Sequence, residues 1–282
     1  MSGKEAVTTA AAEPGSRNLL MRVAAALVLA PTAIAIAWAG GWLWAALVTM
    51  AAIGLYVEWL MIVGAGRNAS VIATGTAALS LSGFCLASGR IDAALVTMVL
   101  GVVSVAFICP GKRMWVAAGF CYAAAAEIAS VLVRLDQAWG FVALVLVLLV
   151  VWVTDIGGYF AGRGLGGPKL WPRVSPKKTW AGAIGGFISS LAIAAGFAGF
   201  GFGKTGLLLL LGAVLSIASQ LGDLFESAVK RRFGVKDSSH LIPGHGGLLD
   251  RLDGFVAAIV LAALIGILRG GVGGVGHGLM VW

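Results

Sequence analysis

Charge is scarce in this sequence. Only 11% of its 282 residues are Asp, Glu, Lys or Arg, where a soluble domain carries about 25%. That shortage excludes an ordinary soluble globule, and the domain-length expectations for soluble chains go with it. Cysteine is scarce too. Cys85, Cys109 and Cys121 all lie in apolar runs without metal-like spacing, so they read as small buried hydrophobes. No internal repeat is visible, which weakens a transporter built from inverted halves. The net charge of +8 would suggest nucleic acid in a soluble protein. In a chain this apolar the membrane rules come first, and no nucleic-acid partner is expected.

What is present in abundance is apolar helix. The chain is 60% hydrophobic, with a mean hydropathy of +0.98. A membrane span needs about 20 mostly apolar residues, and the sequence supplies nine, at roughly 19–39, 42–63, 69–88, 91–109, 113–133, 138–160, 180–203, 205–229 and 254–270. The expected fold is therefore an all-α integral membrane protein, a polytopic bundle of about nine transmembrane helices. Arg17 and Arg22 precede the first run, which also holds Ala-x-Ala triplets. Because further spans follow directly, that run reads as an anchor and not as a cleaved signal. Four regions result: a disordered N-terminus at 1–18, N-terminal helices at 19–137, a polar-loop membrane region at 138–270, and a Gly-rich tail at 271–282 not expected to be helical.

Lys and Arg fix the orientation. With the N-terminus in the cytoplasm, sixteen of the twenty basic residues fall on the inner side. Arg90, Arg134, Lys204 and Arg269 fall on the outer side. The loops at 161–179 and 230–253 then share the cytoplasmic face.

The few charges are concentrated. Residues 220–253 hold ten of the 32 charged residues and two of the three histidines, and ionisable groups near a bilayer mark functional sites. Asp223, Glu226, Ser227 and Lys230 are spaced to share one helical face. A deep carboxylate with cations at the rim suits a metal below and phosphates above, although helix-end ion pairing gives the same pattern. Pro243, Gly244, His245, Gly246 and Gly247 form a loop whose glycines permit close ligand approach and anion binding by backbone N–H groups. A plain flexible connection would look the same. Asp250 and Asp253 sit one turn apart at a helix start. There one would cap the helix, with Asp253 favoured, and Asp250 would ligate metal. Lys177 and Lys178 are candidate phosphate-binding cations, or topology signals alone. Asp155, Glu58 and Glu127 are lone acids in apolar runs, without a visible sequence partner. Gly203-Lys204-Thr205 mimics the end of a phosphate loop, but Ala198 stands where that motif needs glycine. Gly162–Gly167 reads as a flexible loop.

At these residues the chain resembles the phosphatidate cytidylyltransferase (CDP-diacylglycerol synthase) family. The family signature is met at Ser227, Lys230, Arg231, Lys236, Asp237, Pro243, His245, Gly246, Gly247, Asp250, Arg251 and Asp253. Gly222–Ser227 and Ser175–Thr179 also resemble family motifs. The likeness is specific across about 150–255, and the N-terminal spans match in hydrophobicity only. Many members carry a glutamate where Ala181 stands here, so no role is carried to that position.

The resemblance implies transfer of CMP from CTP to phosphatidic acid, giving CDP-diacylglycerol and pyrophosphate for phospholipid biosynthesis. It also implies Mg²⁺, with the ion count left open, and a homodimer in the bacterial inner membrane with its site facing the cytoplasm. Asp223 and Asp250 match the metal-binding aspartates. Lys177, Lys178, Lys230, Arg231, Lys236 and Arg251 would neutralise phosphate, Gly246, Gly247 and Asp253 would line the nucleotide, and His245 would assist proton transfer or order the backbone. Rival readings are a CTP-dependent kinase or cytidylyltransferase of another lipid, and a lipid-phosphate or ion transporter.

Overall fold

The computed structural model describes residues 31–239 and 246–282. The expected disorder at 1–18, most of the first span and His245 lie outside the described residues. Residues 31–39 are helical (α1), followed by α2 Gly41–Ile62, α3 Ala69–Ala87, α4 Ile91–Ile108, a 3-10 turn at Pro110–Lys112, and α5 Arg113–Leu135. Then come α6 Gly140–Leu165, strands β1 Lys169–Trp171 and β2 Ser175–Thr179, α7 Trp180–Gly199, α8 Thr205–Arg232, α9 Leu249–Gly270 and the short α10 Val275–Met280. Among the described residues eight helices are long and apolar enough to cross a membrane. They match the second to ninth expected spans, and the protein is a multi-pass, helical membrane protein.

Helix breaks follow local chemistry. Gly40 and Gly41 adopt positive φ between α1 and α2, a conformation a Cβ would oppose. Asn68 caps α3 by accepting from the Val71 N–H at 3.2 Å. Beside the polar loops three span edges fall farther out than apolarity alone predicts: α6 runs to Leu165, α8 to Arg232, and α9 starts at Leu249, while α7 ends at Gly199, short of the expected 203. A helix can continue into water past the hydrocarbon, and hydropathy counts only its apolar part.

α5 is the most buried span; α4 and α7 are the least. α6 and α7 pack most closely, along glycines. A Cβ at Gly186 would meet the Thr154 carbonyl oxygen at 2.4 Å, and one at Gly182 the Gly158 carbonyl at 2.8 Å. Without a hydrophobic drive between helices in lipid, such close backbone approach supplies the attraction.

Two expectations are corrected. Of Gly162–Gly167, read as a flexible loop, the first four residues are the last turn of α6, and the loop that follows forms an antiparallel pair, with Lys169 opposite Thr179 and Trp171 opposite Ser175. The tail folds back as α10 with Val275, Leu279 and Met280 buried. Glycine weakens an isolated helix, but here it admits tight packing. A Cβ at Gly276 would lie 2.7 Å from the Gly140 nitrogen, and one at Gly278 2.4 Å from the Gly266 carbonyl oxygen.

The bundle has two distinct ends. At one, Lys112 donates to the Val63 and Gly64 carbonyls, each at 2.8 Å. There too Trp115 meets Phe233 edge-on, and Arg231 Nε reaches the Val174 carbonyl at 3.4 Å. At the other, Arg134 donates to the Ala37 and Trp38 carbonyls, Arg269 to those of Gly278 and Val281. Asp136 there accepts from the His277 N–H at 2.8 Å.

Candidate active site

The first end gathers the charge. On α8, Glu226 and Lys230 are buried one turn apart, 1% and 9% exposed. Lys230 Nζ lies 2.7 Å from Glu226 Oε2 and 2.6 Å from Asp250 Oδ1 at the start of α9. The other Asp250 oxygen accepts from the Ser238 N–H, the Ser238 hydroxyl and the Gly247 N–H, each at 3.1 Å. The capping role expected for Asp253 is taken by neither aspartate: Asp250 holds Ser238 and Gly247, ahead of α9, and Asp253 accepts from the adjacent Gly254 N–H. Three donors saturate Oδ2, which leaves Asp250 less free to ligate metal than expected.

Asp223, a turn before Glu226, forms an ion pair with Lys178 of β2. Ser227 Oγ lies 3.4 Å from its other oxygen. Close packing of α8 on α9 determines its neighbours, since a Cβ at Gly222 would fall 2.6 Å from the Asp253 carbonyl oxygen. Asp253 and Asp155 of α6 interact electrostatically with Asp223 and Lys178. Asp253 Oδ1 accepts from the adjacent Gly254 N–H at 2.7 Å. Asp223 and Asp250, expected as one pair, therefore sit in two adjoining groups, each with its own lysine. Asp253, which also interacts with Glu226, joins the groups.

Five carboxylates, Asp155, Asp223, Glu226, Asp250 and Asp253, face two ammonium groups, Lys178 and Lys230. Excess negative charge withdrawn from water is costly and calls for a cation. Among the described residues no three His, Cys, Asp or Glu side chains converge tightly enough to ligate an ion by themselves. Mg²⁺ needs no such cage, because it takes one or two carboxylates and completes its shell with waters and substrate phosphates. The donor set therefore fits a substrate-shared divalent ion. Buried polar atoms remain without hydrogen-bond partners beside it: Tyr122 Oη, Ser219 Oγ and Glu226 Oε1.

The other expected binding residues ring this cluster. Lys177, Arg231, Lys236 and Arg251 are exposed. Arg231 also ties α8 to the hairpin through Val174 and reaches the Val235 carbonyl at 3.3 Å. Gly246 has φ of +81°. Gly247 is packed: a Cβ there would lie 1.8 Å from Ser238 Oγ and 2.6 Å from Glu58 Oε2. Its N–H is already taken by Asp250, so it is not an open anion cradle. Asp155 and Glu58, flagged only as lone acids, both belong to this end. Ser238, Ser239 and Tyr122 carried no sequence signal.

Comparison with known proteins identifies the family. A profile of the cytidylyltransferase family matches residues 20–268. A phosphatidate cytidylyltransferase of Brucella suis is 41% identical over 264 residues, covering 89% of this chain and 94% of its own length. Proteins of the same name from Staphylococcus haemolyticus and Haemophilus influenzae are 51% and 48% identical over 120 and 131 residues. Those two matches cover 42% and 44% of this chain, and 46% and 45% of theirs.

Proposed function

The chain belongs to the cytidylyltransferase family, and on that footing we propose that it transfers CMP from CTP to phosphatidate, releasing pyrophosphate and leaving CDP-diacylglycerol in the membrane. The observation that carries this reading is the assembly of Asp155, Lys178, Asp223, Glu226, Lys230, Asp250 and Asp253 at one end of a membrane bundle, with further cations around its edge. A carboxylate interior suits a cation, and a basic rim suits a triphosphate and a lipid phosphate.

In the reaction a phosphatidate oxygen attacks the α-phosphorus of CTP. The bond from that phosphorus to the bridging β-oxygen breaks, and pyrophosphate leaves with the electron pair. The attacking oxygen is already anionic, so no strong base is required. What the site must supply is approach in line and neutralised charge. Lys178 and Lys230 do this from within the cluster, and Lys177, Arg231, Lys236 and Arg251 from its rim. Mg²⁺, which would be held by Asp223 with Asp155 and Asp253 beside it, supplies Lewis-acid polarisation of the phosphoryl oxygens when bound. Asp250 holds Lys230 in place, and would ligate the ion directly only if that lysine moved aside.

The distribution of Lys and Arg supports a site facing the cytoplasm from the inner membrane. A homodimer would use the two least covered helices, α4 and α7. A CTP-dependent lipid kinase would release CDP instead of pyrophosphate.

The test uses purified protein with CTP, phosphatidate and Mg²⁺, reading pyrophosphate release and lipid product mass. Asp223→Ala and Asp250→Ala are each expected to lose activity by about 100-fold or more, the scale of a lost charge-stabilising group. Near-full activity in both would remove the assignment of the carboxylates, and a product heavier by phosphate alone would favour the kinase.

A further inference from the structure

Glu58 of α2 is fully buried, far in sequence from the charged segment. Its carboxylate nevertheless takes four hydrogen bonds from the two stretches that flank residues 240–245. Ser238 Oγ donates to Oε2 at 2.9 Å and Ser239 Oγ to Oε1 at 2.6 Å. The Leu248 N–H donates to Oε1 at 2.8 Å and the Leu249 N–H to Oε2 at 2.7 Å. α9 has no side-chain cap of its own at Leu248. Glu58 supplies that cap from another helix, where a carboxylate also meets the positive end of the helix dipole. The fit is shaped on both sides. A Cβ at Gly54, one turn before Glu58, would strike Leu248 Cδ2 at 2.7 Å, and one at Gly247 would strike Ser238 and Glu58.

We infer that Glu58 is a positioning residue for the transferase reaction, fixing Ser238 and the start of α9 so that Asp250 holds Lys230 in the site. Ser238 carries the link. Its hydroxyl serves Glu58, while its backbone N–H, 3.1 Å from Asp250 Oδ2, serves the aspartate. Leu248 and Leu249 immediately precede Asp250. Displacing Glu58 therefore moves both supports of one active-site carboxylate, and through it the Lys230 ammonium. Small misplacements of reacting groups are costly to rate. A neutral cap would stabilise a helix without placing a fully buried charge, so the four donors converging here answer a positional need. This inference rests on the transferase reading.

Glu58→Gln keeps the shape but offers one acceptor oxygen instead of two. Glu127→Gln is the control: Glu127 is a fully buried acid on α5, bonded by Thr49 of α2 at 2.7 Å and remote from the site. Loss of folded enzyme lowers kcat but leaves KM unchanged. Glu58→Gln and Ser238→Ala are each expected to raise the KM for CTP by about tenfold, in the range of lost supporting contacts, with the double variant no worse than Glu58→Gln. Amide exchange at Leu248 and Leu249 is expected to quicken in Glu58→Gln and not in Glu127→Gln. An unchanged KM for CTP, an equal rise in Glu127→Gln, or unchanged exchange at both leucines overturns the inference. If wild-type protein makes no CDP-diacylglycerol, the functional reading fails instead, and the exchange measurement, which needs no turnover, decides the Glu58 contact by itself.

Discussion

Lys230 is held by two carboxylates at 2.7 and 2.6 Å and is 9% exposed. Breaking such a group leaves uncompensated charge, at about 3–5 kcal/mol for a buried pair. Lys230→Met is therefore expected to lower the unfolding temperature in detergent and to abolish pyrophosphate release. Wild-type stability in that variant would show that Glu226 and Asp250 do not depend on the lysine. The charged segment was plain in the sequence, because helical spacing alone puts Asp223, Glu226 and Lys230 on one face. The roles of Asp250 and Asp253 were not, since both stand at a helix start and only packing decides which one meets the loop. Glu58 and Asp155 could be flagged as expensive acids in apolar runs. Their partners lie on other helices, and a single sequence carries no signal of that pairing.

Among the elements, the β1–β2 hairpin and α7 share Thr179. It ends the strand next to Lys178 and caps the helix by accepting from the Gly182 N–H at 3.1 Å. Thr179→Ala is expected to lose about 1 kcal/mol of stability, as for other cap removals, and to weaken CTP binding through Lys178. Thr179→Ser should restore both, and a Ser variant as impaired as Ala would assign the effect to the methyl group. The long helices were legible because each carries about 20 apolar residues, more than any turn could use. The hairpin was not. Lys169–Trp171 has three residues, too few to show alternation, and Ser175–Thr179 is polar and includes Pro176. α10 was hidden by its glycines, whose value lies in contacts with α6 and α9.

The molecule as a whole gathers its carboxylate-paired lysines at a single end. Arg134 and Arg269 bind backbone carbonyls at one end, while Lys178 and Lys230 meet carboxylates at the other. The decoy at Gly203-Lys204-Thr205 falls at the first of these, where a Cβ on Gly203 would meet the Met280 carbonyl oxygen at 2.8 Å. This polarity predicts a labelling pattern. With Cys85, Cys109 and Cys121 replaced, Lys204→Cys should react with an impermeant maleimide in intact cells. Lys236→Cys should react only after permeabilisation. The reverse pattern would invert the topology.

α8 has 28 residues, about 42 Å at 1.5 Å per residue, against a hydrocarbon thickness of about 30 Å. It is therefore long enough for its final turns, with Glu226 and Lys230, to reach the layer where lipid phosphates reside. A lipid substrate can react there without withdrawing its acyl chains, and its product is already in place for the next enzyme that diffuses past. Encounter then becomes a two-dimensional search, governed by how crowded the leaflet is with substrate and not by its amount per volume of cell.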